Sequence, residues 1–518
     1  MNQKGLFLLL CVLLLAKALL LAKFLPLTGI GFSPDEAQYW TWSQFLDWGY
    51  YSKPPGIAWE IWLGTHAFGN NEFGVRFGAI IIGFLIPLAV YALARACKLF
   101  PTTAFWAGLT MALCPIGIMA SFLATTDGGF ILFWTLACAA LAYAVSRKKE
   151  PNPILIGFLI LCGALFKWPI YLFWLVAIPT MLIFNYRISY LKLLLGIAIS
   201  LLGLLPSVIW NYSHDWATFR HVFAAVSGGP KFSNAAKPIF HGNFWDFIAA
   251  QAALLSPLLF ILLFFALIAL FRNWRSISGG VLVCGVMSTV ILIFFALSAL
   301  FQKMQGNWAL FMYPSAIVVL CWYLCEYVSW GNIALKIGLA LSVVLSALVL
   351  SIPYIQSHNV LPKSPIPYAW NPFHHNIGWE KLPPALTESG YDPTQHFLFS
   401  DKYQMTSILS FYSPQQKLAY FLNISGARKN QFSYWPSMAE EQKGKTGYFV
   451  WVENAPRLDK EAAERIRHYE QELKKYFRAV RFIELKPLFY SYGKVVKAAA
   501  IFECQDYNGK EPAETLVY

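Results

Sequence analysis

Long apolar runs separated by short polar loops make up the first 353 residues of the chain. Eleven of these runs approach the roughly 20 residues that an α-helix needs to cross a bilayer. A break at Lys167, Trp168 and Pro169 leaves either two short spans or one kinked span in the stretch 152–185. We therefore expect about eleven transmembrane helices and at most about thirteen. The predicted spans are residues 5–27, 74–94, 103–121, 128–146, 152–166, 169–185, 190–209, 246–271, 278–300, 308–328 and 333–353.

The first span resembles a secretory signal peptide only in part. It is longer than the apolar region of such a peptide, and no small-residue cleavage site precedes the polar loop that follows it. We therefore expect a true transmembrane helix that begins on the cytoplasmic side.

Short basic loops give the predicted orientation, because cytoplasmic loops of membrane proteins are enriched in Lys and Arg. With the N-terminus inside, every basic cluster lies in the cytoplasm, and an odd number of spans puts the tail on the outer, periplasmic side. The clusters are Arg95 with Lys98, residues 147–149, Arg187 with Lys192, and Arg272 with Arg275.

The tail, residues 354–518, has the pattern of a soluble domain. Strand-like runs occupy residues 396–399, 418–421 and 448–452. A charged segment, 458–477, carries apolar residues at helical spacing. The predicted architecture is a polytopic α-helical membrane domain over 1–353, followed by a small α/β domain on the outer face.

Composition agrees with this assignment. The chain is 57% hydrophobic and 13% charged, whereas soluble domains carry about 25% charged residues. The net charge of +13 could indicate a nucleic-acid partner, but much of the surplus in the membrane half lies in the basic loops. We therefore expect membrane lipids as partners and no nucleic acid.

Acidic residues concentrate in the first predicted outer loop, 28–73. Residues 33–36 form a helix start, with Ser33 as N-cap, Pro34 at the first helical position and Glu36 closing a capping box. The aromatic side chains that follow predict a short helix in the membrane interface. A stiff linker with Lys53 leads to a second interfacial helix over about 57–68.

Two interpretations of the acids at this helix start remain open. Asp35 and Glu36 are common helix-start residues that complement the helix dipole. Alternatively, a carboxylate at 35 and an ammonium at 53, both held at the bilayer surface, suit a hydroxyl acceptor and a lipid phosphate. The helix dipole should keep Asp35 ionised, as a general base requires.

Three segments carry a family resemblance. Residues 33–39 (SPDEAQY), 50–55 (YYSKPP) and 71–77 (NEFGVRF) follow one another in the first loop. They resemble the corresponding loop of lipid-linked-sugar glycosyltransferases with the GT-C membrane fold. The protein O-mannosyltransferase-like group and the bacterial aminoarabinose–lipid A transferases are the most similar.

The resemblance implies a role for each matching residue. Asp35 would orient or deprotonate the acceptor, Asp127 would support the acceptor side, and Glu36 joins them as a candidate catalytic residue. Lys53 with Tyr50 would hold the phosphate of a polyprenyl-phosphate sugar. Lys167 and Arg76 would add charge near that phosphate. Gln38 and Tyr39 are candidate cleft residues, as are Lys303 and Trp308 before the span 308–328. The alternative for these last two is a loop with a tryptophan at the membrane interface.

Two positions depart from the aminoarabinose transferases. Those enzymes carry an acidic residue where this chain has Ser52 and Arg where it has Gln38. The departures leave the donor sugar open, together with the involvement of a divalent metal. Neither a G-x-G-x-x-G motif nor a P-loop is present, so no nucleotide cofactor is expected.

The sequence therefore predicts an inverting glycosyltransferase on the outer face of the inner membrane. It would move a sugar from a polyprenyl-phosphate donor to lipid A or its core, to another surface glycan, or to a protein. The alternative is a non-catalytic membrane protein, either a lipid transporter or an envelope-assembly scaffold. Loss of transfer on replacing Asp35 would distinguish the two.

Overall fold

The computed structural model describes residues 2–183, 189–227, 241–360, 366–455, 457, 461–513, 515 and 517. Parts of the predicted span 169–185 and helix 458–477, and the basic residue Arg187, lie outside these residues. The helices of the N-terminal part are α1 Gln3–Phe24, α2 Pro34–Gln44, α3 Gly56–Phe68, α4 Glu72–Ala96, α5 Pro101–Leu113, α6 Pro115–Met119, α7 Thr126–Ser146, α8 Pro153–Ala164, α9 Leu172–Ile183, α10 Tyr190–Leu201, α11 Leu205–Ser213, α12 Ala217–Ser227, α13 Phe244–Leu255, α14 Pro257–Arg272, α15 Gly279–Phe301, α16 Tyr313–Trp322 and α17 Gly331–Ser357.

Seven helical stretches among the described residues are long and apolar enough to cross a bilayer, and α13 with α14, bent by 100°, make an eighth if counted as one span. These are the helices of a multi-pass membrane protein. The predicted number of about eleven is not confirmed. The predicted span 103–121 forms α5, of 13 residues, followed by the short α6, whereas 152–166 and the described part of 169–185 form α8 and α9, of 12 residues each. At 1.5 Å per residue such helices measure about 20 Å, less than the roughly 30 Å hydrocarbon core.

The C-terminal part contains a five-stranded sheet, as the α/β prediction requires. Its order is β2-β1-β3-β5-β4, with β1 parallel to both neighbours and the β3–β5–β4 side antiparallel. The strands are β1 Phe397–Ser400, β2 Tyr420–Phe421, β3 Gly447–Asn454, β4 Phe477–Ser491 and β5 Lys494–Tyr507, and the helices are α18 Leu382–Glu388, α19 Tyr403–Tyr412, α20 Met438–Glu441 and α21 Ala462–Leu473.

The longest strands, β4 and β5, are absent from the sequence prediction. They form a hairpin whose turn residues Tyr492 and Gly493 both have positive φ, as a tight hairpin turn needs. Charged residues recur along β4, so it lacks the clean apolar alternation by which strands are recognised.

The first loop folds against the sheet domain rather than lying free on the membrane surface. Trp40 and Trp42 of α2 are buried, and Trp40 packs edge-on against Phe411 of α19 with ring centroids 5.0 Å apart. One hydrophobic cluster includes residues of α2, α3, α4 and the sheet domain. The prediction that α2 is an interfacial helix is therefore wrong for its aromatic face, because protein rather than lipid covers it.

Candidate active site

Asp35 lies in the first turn of α2, and the local sequence explains its fixed position. Ser33 Oγ accepts a hydrogen bond from Glu36 N (3.1 Å), and Glu36 Oε2 accepts one from Ser33 N (2.9 Å). This is the predicted capping box, with Pro34 at the first helical position. The box fixes the helix start, so the Asp35 carboxylate projects from a rigid turn.

Asp35 faces a cleft between α2 and the sheet domain. The cavity measures about 810 Å³, and Ser33, Pro34 and Asp35 form the wall on the side of the first loop. Tyr403, Arg428 and Lys402 lie among the lining residues from the sheet domain. The Asp35 side chain is open to this cleft, although protein surrounds it on most sides.

Asp35 and Lys53 lie close enough to act on each other electrostatically. Burial raises the pKa of Asp35, and the positive charges of Lys53 and Lys167 oppose that rise. Burial also lowers the pKa of Lys53, together with the charge of Lys167, while Asp127 and Asp35 oppose that change. The four charged groups therefore share one site. Desolvation of Asp35 works against the ionisation that the helix dipole was expected to secure.

Asp127 and Lys167 form an ion pair within this site. Lys167 Nζ lies 2.7 Å from Asp127 Oδ1, and both side chains are largely buried. Asp127 belongs to the first turn of α7, whereas Lys167 lies in the break between α8 and α9. Asn307 Nδ2 donates to the other oxygen, Asp127 Oδ2, at 3.4 Å.

Lys53 contrasts with Lys167. Among the residues that the structure describes, no carboxylate lies within 4 Å of the Lys53 ammonium. Its positive charge is thus balanced only at longer range, by Asp35 and Asp127. A half-buried cation without a direct counter-ion is a ready binding group for an anion.

Comparisons with known proteins agree with this arrangement. Residues 52–210 match the family model described as dolichyl-phosphate-mannose-protein mannosyltransferase. A lipid A galacturonosyltransferase, RgtD of Rhizobium johnstonii, is 30% identical over 325 residues, which are 61% of this chain and 65% of that protein. An undecaprenyl phosphate-α-4-amino-4-deoxy-L-arabinose arabinosyl transferase of Pseudomonas aeruginosa is 33% identical over 30% of this chain and 32% of its own.

The whole fold also has a solved counterpart. The apo structure of ArnT from Cupriavidus metallidurans superposes with a TM-score of 0.60 at 13% identity, covering 95% of this chain and 97% of that one. The oligosaccharyltransferase of Archaeoglobus fulgidus gives 0.51 at 12% identity, over 90% of this chain and 71% of its own. The chain is thus similar to GT-C glycosyltransferases, over part of its sequence and in its fold. The resemblance found in the sequence is thereby confirmed, although the curated relatives are matched over less than two thirds of their length.

The first loop uses Glu36 and Arg76 for a buried ion pair, which differs from the roles that the resemblance implied. Arg76 Nε lies 2.9 Å from Glu36 Oε1, and its other nitrogens donate to the carbonyl oxygens of Ile30 and Gly31. Ala124 N donates to the same Glu36 carboxylate. Because every one of these contacts is internal, Arg76 joins α4 to the start of the loop and has no guanidinium nitrogen free for a phosphate.

The hydroxyl of Tyr50 is likewise committed within the loop. It accepts a hydrogen bond from Asp47 N and lies 3.1 Å from the carbonyl oxygens of Trp42 and Phe45. Its ring stacks on Trp42 with centroids 4.7 Å apart, and the side chain is fully buried. The backbone N–H of Tyr50 donates to Lys53 O at 3.1 Å, but its hydroxyl points away from a phosphate-binding position beside the Lys53 ammonium.

The four candidate cleft residues divide into two groups. Tyr39 lies near the acids, because burial and then the charges of Asp35 and Asp127 raise its pKa. Gln38 is buried in α2. Lys303 and Trp308 are exposed, and their loop reaches the site through Asn307 instead.

Three residues of this candidate site were not predicted: Tyr403, Arg428 and His221. Tyr403 lies near α2 because α19, which begins at Tyr403, packs on that helix. Burial raises the pKa of Tyr403, and the charge of Asp35 also raises it. Arg428 and His221 come from distant segments with no local motif, so only the folded chain could reveal them. Among the described residues, no three His, Cys, Asp or Glu side chains converge as metal ligands.

Proposed function

We propose that this chain is an inverting glycosyltransferase that moves a sugar from a polyprenyl-phosphate donor to a hydroxyl group of lipid A. The observation that carries the proposal is that Asp35, on the wall of the cleft, and Lys53, with no carboxylate within 4 Å among the described residues, lie close enough to interact electrostatically. The named activities of the relatives, a lipid A galacturonosyltransferase and an aminoarabinose transferase, support the same donor and acceptor classes. Other surface glycans and proteins remain alternative acceptors for the assay below.

The proposed chemistry divides between these two residues. The Asp35 carboxylate takes the proton of the acceptor hydroxyl while the acceptor oxygen attacks the anomeric carbon. The bond from that carbon to the phosphate oxygen breaks, and its electron pair leaves on the polyprenyl phosphate. Lys53 neutralises the departing charge, which is usually the largest contribution to such catalysis. Attack opposite the phosphate inverts the anomeric configuration.

The remaining residues have supporting roles in this proposal. A desolvated carboxylate with a raised pKa is a stronger base than an exposed one, which suits Asp35. The Asp127–Lys167 pair holds α7 against the α8–α9 break and keeps a second carboxylate near the acceptor. Tyr39 lines the reacting centre through its proximity to both acids.

The orientation and domain division are part of the proposal. We infer that residues 1–353 form the transmembrane domain in the inner membrane and that 354–518 form a periplasmic domain. The basic loops predicted to be cytoplasmic support this orientation. The donor would then reach the cleft laterally from the outer leaflet.

Replacement of Asp35 tests the catalytic proposal. Purified wild-type protein in nanodiscs is incubated with undecaprenyl-phosphate sugars and lipid A, and mass spectrometry measures the added sugar mass. Because a general base contributes about 10²–10⁴-fold, Asp35→Asn should lower kcat/KM by that factor. Lys53→Gln should raise the KM for the donor by about 10-fold.

Asp47→Asn is the matched control, since Asp47 lies in the same loop and its carboxylate accepts only from Trp48 N among the described contacts. It should keep wild-type turnover. Unchanged transfer by a folded Asp35→Asn protein would contradict the proposed role of Asp35. Absence of transfer by the wild type with every donor and acceptor would favour the transporter or scaffold alternative.

A further inference from the structure

Arg428 reaches the site from the C-terminal sheet domain. It lies between β2 and α20, and its guanidinium carbon is 5.5 Å from the ring centroid of Tyr51 and 5.6 Å from that of Tyr403. Tyr51 precedes Lys53 by two residues, and its backbone N–H donates to Gln431 Oε1 at 2.7 Å. A hydrogen bond therefore connects the segment that contains Arg428 and Gln431 to the loop that contains Tyr51 and Lys53.

The positive charge of Arg428 acts within the cleft. Burial lowers the pKa of Lys53, and the charge of Arg428 contributes to that shift. Burial and then the charge of Arg428 lower the pKa of His221 to about 4. Arg428 Nη1 lies 3.4 Å from His221 Nδ1, and a neutral imidazole can accept that hydrogen bond without neutralising the cation. Across the described part of the chain, no carboxylate lies within 4 Å of Arg428.

Lys53 and Arg428, neither with a carboxylate within 4 Å among the described residues, thus both lie near the site of Asp35. A polyprenyl-phosphate sugar carries a single negative charge on its phosphodiester, and in the proposed function Lys53 binds that charge. Placing a second cation nearby costs electrostatic repulsion unless a second anion enters with the substrates. A guanidinium presents a planar fork that fits a carboxylate or a phosphate through two parallel hydrogen bonds.

We propose that Arg428 is a specificity-determining residue that binds a second oxyanion in the reacting complex, separate from the donor phosphate. This inference rests on the proposed function and deepens it. The oxyanion is either a carboxylate on the transferred sugar, as in a uronic acid, or a phosphate on the sugar headgroup of the acceptor. The cleft of about 810 Å³, which Asp35 and Arg428 both line, has the size of a ligand site.

Matched substrates separate the two sources. Full-length protein in nanodiscs is assayed with undecaprenyl phosphate bearing galactose or galacturonic acid, each with lipid A or with enzymatically dephosphorylated lipid A. Since a hydrogen bond to a charged group is worth about 10- to 100-fold, Arg428→Gln should lower kcat/KM by that factor only where the recognised anion is present. The kcat/KM of Arg428→Lys should lie between those of the wild type and Arg428→Gln, because lysine keeps the positive charge but cannot form two parallel hydrogen bonds.

The control is Arg478→Gln, which removes an equal charge from an exposed arginine paired with Asp506 on the sheet domain. It should match the wild type with all four substrate pairs. If Arg428→Gln lowers kcat/KM only with the galacturonic acid donor, Arg428 binds the sugar carboxylate. If it lowers kcat/KM only with phosphorylated lipid A, Arg428 binds the acceptor phosphate. An equal loss with all four pairs, or no loss with any, overturns the inference.

A binding measurement keeps the inference distinct from the proposed function. Thermal shift of the wild type and of Arg428→Gln is recorded with galactose 1-phosphate, galacturonic acid 1-phosphate, and the lipid A disaccharide with and without phosphates. The wild type should bind the more anionic member of one pair about 10-fold more tightly, and Arg428→Gln should lose that preference. Preference without turnover would refute the proposed transferase reaction alone, whereas no preference in either pair would refute the anion site.

Discussion

At the scale of single residues, burial decides what each acidic side chain of the first loop can do. Glu36 is buried and paired with Arg76, so it stabilises the loop. Asp35, its neighbour in sequence, opens to the cleft and interacts with Lys53 at longer range. Glu60 is a third case, because its Oε2 atom is buried without a hydrogen-bond partner among the described residues.

Glu60 should make the stability of the protein depend on pH. Burial raises its pKa to about 8, whereas the unfolded chain releases this proton near pH 4.5. Between these values the folded state holds a proton that the unfolded state has lost, so stability falls as pH rises. Glu60→Gln should raise the apparent Tm by about 2–5 °C at pH 8 and by little at pH 5.

Thermal unfolding of detergent-solubilised protein across pH 5–9 measures this difference. Glu464→Gln, at an exposed position of α21, is the control and should follow the wild type. A variant at position 60 whose Tm declines with pH as steeply as that of the wild type would show that Glu60 is not the titrating group.

At the scale of elements, the sheet domain holds the start of α2. Tyr412, at the end of α19, donates to Glu72 Oε1 at 2.5 Å and accepts from Phe32 N at 2.9 Å. Phe32 immediately precedes the Ser33 cap, and its ring packs on Phe411 with centroids 4.4 Å apart. One hydroxyl therefore connects α19, α4 and the turn that presents Asp35.

Tyr412→Phe should impair catalysis without removing a reacting group. The substitution leaves the Phe32 N–H without its partner, at a cost of about 1–3 kcal/mol, and loosens the turn before Asp35. A small misplacement of a catalytic group has a large effect, so kcat should fall by about 10-fold while the donor KM changes little. Steady-state kinetics with the donor and acceptor described above measure both constants.

Tyr420→Phe provides the comparison, because Tyr420 makes its hydroxyl contacts with Glu441 and Gln442 in the sheet domain, away from α2. Its kcat should equal that of the wild type. Equal kcat values for both variants would mean that the Tyr412 hydroxyl does not position the helix.

At the scale of the whole molecule, the proposed orientation puts one face of the protein in the periplasm and the other in the cytoplasm. A reagent that cannot cross the membrane should reach only the first. Lys148 lies in the basic loop between α7 and α8, and Lys474 follows α21 in the sheet domain. Both side chains are exposed. The positive-inside rule predicts that the first lies in the cytoplasm, and the predicted odd number of spans would put the second in the periplasm.

Cysteine labelling tests this orientation. A membrane-impermeant maleimide added to intact spheroplasts should label Lys474→Cys, and it should label Lys148→Cys only after permeabilisation. The unsubstituted protein gives the background, since most native cysteines are buried. Labelling of both positions before permeabilisation, or of position 148 alone, would contradict the proposed orientation.

Features that depend on near neighbours along the chain could be predicted before the fold was known. The capping box at Ser33 and Glu36 needs only residues three positions apart, and the apolar spans need only composition over about 20 residues. The first-loop motifs with Asp35 and Lys53, and the family they resemble, were accessible for the same reason. The tail strands β1 and β3 also have local apolar patterns, whereas β4 does not.

Which charged side chains meet could be learned only from the folded chain. Glu36 pairs with Arg76 across 40 positions, Asp127 pairs with Lys167 across another 40, and Arg428 approaches Tyr51 from the far end of the chain. Such contacts depend on how helices and sheet pack, since a charge interacts over a few ångströms of space and not along the sequence. The same packing buried the aromatic face of α2 against protein, where its pattern alone predicted a membrane surface.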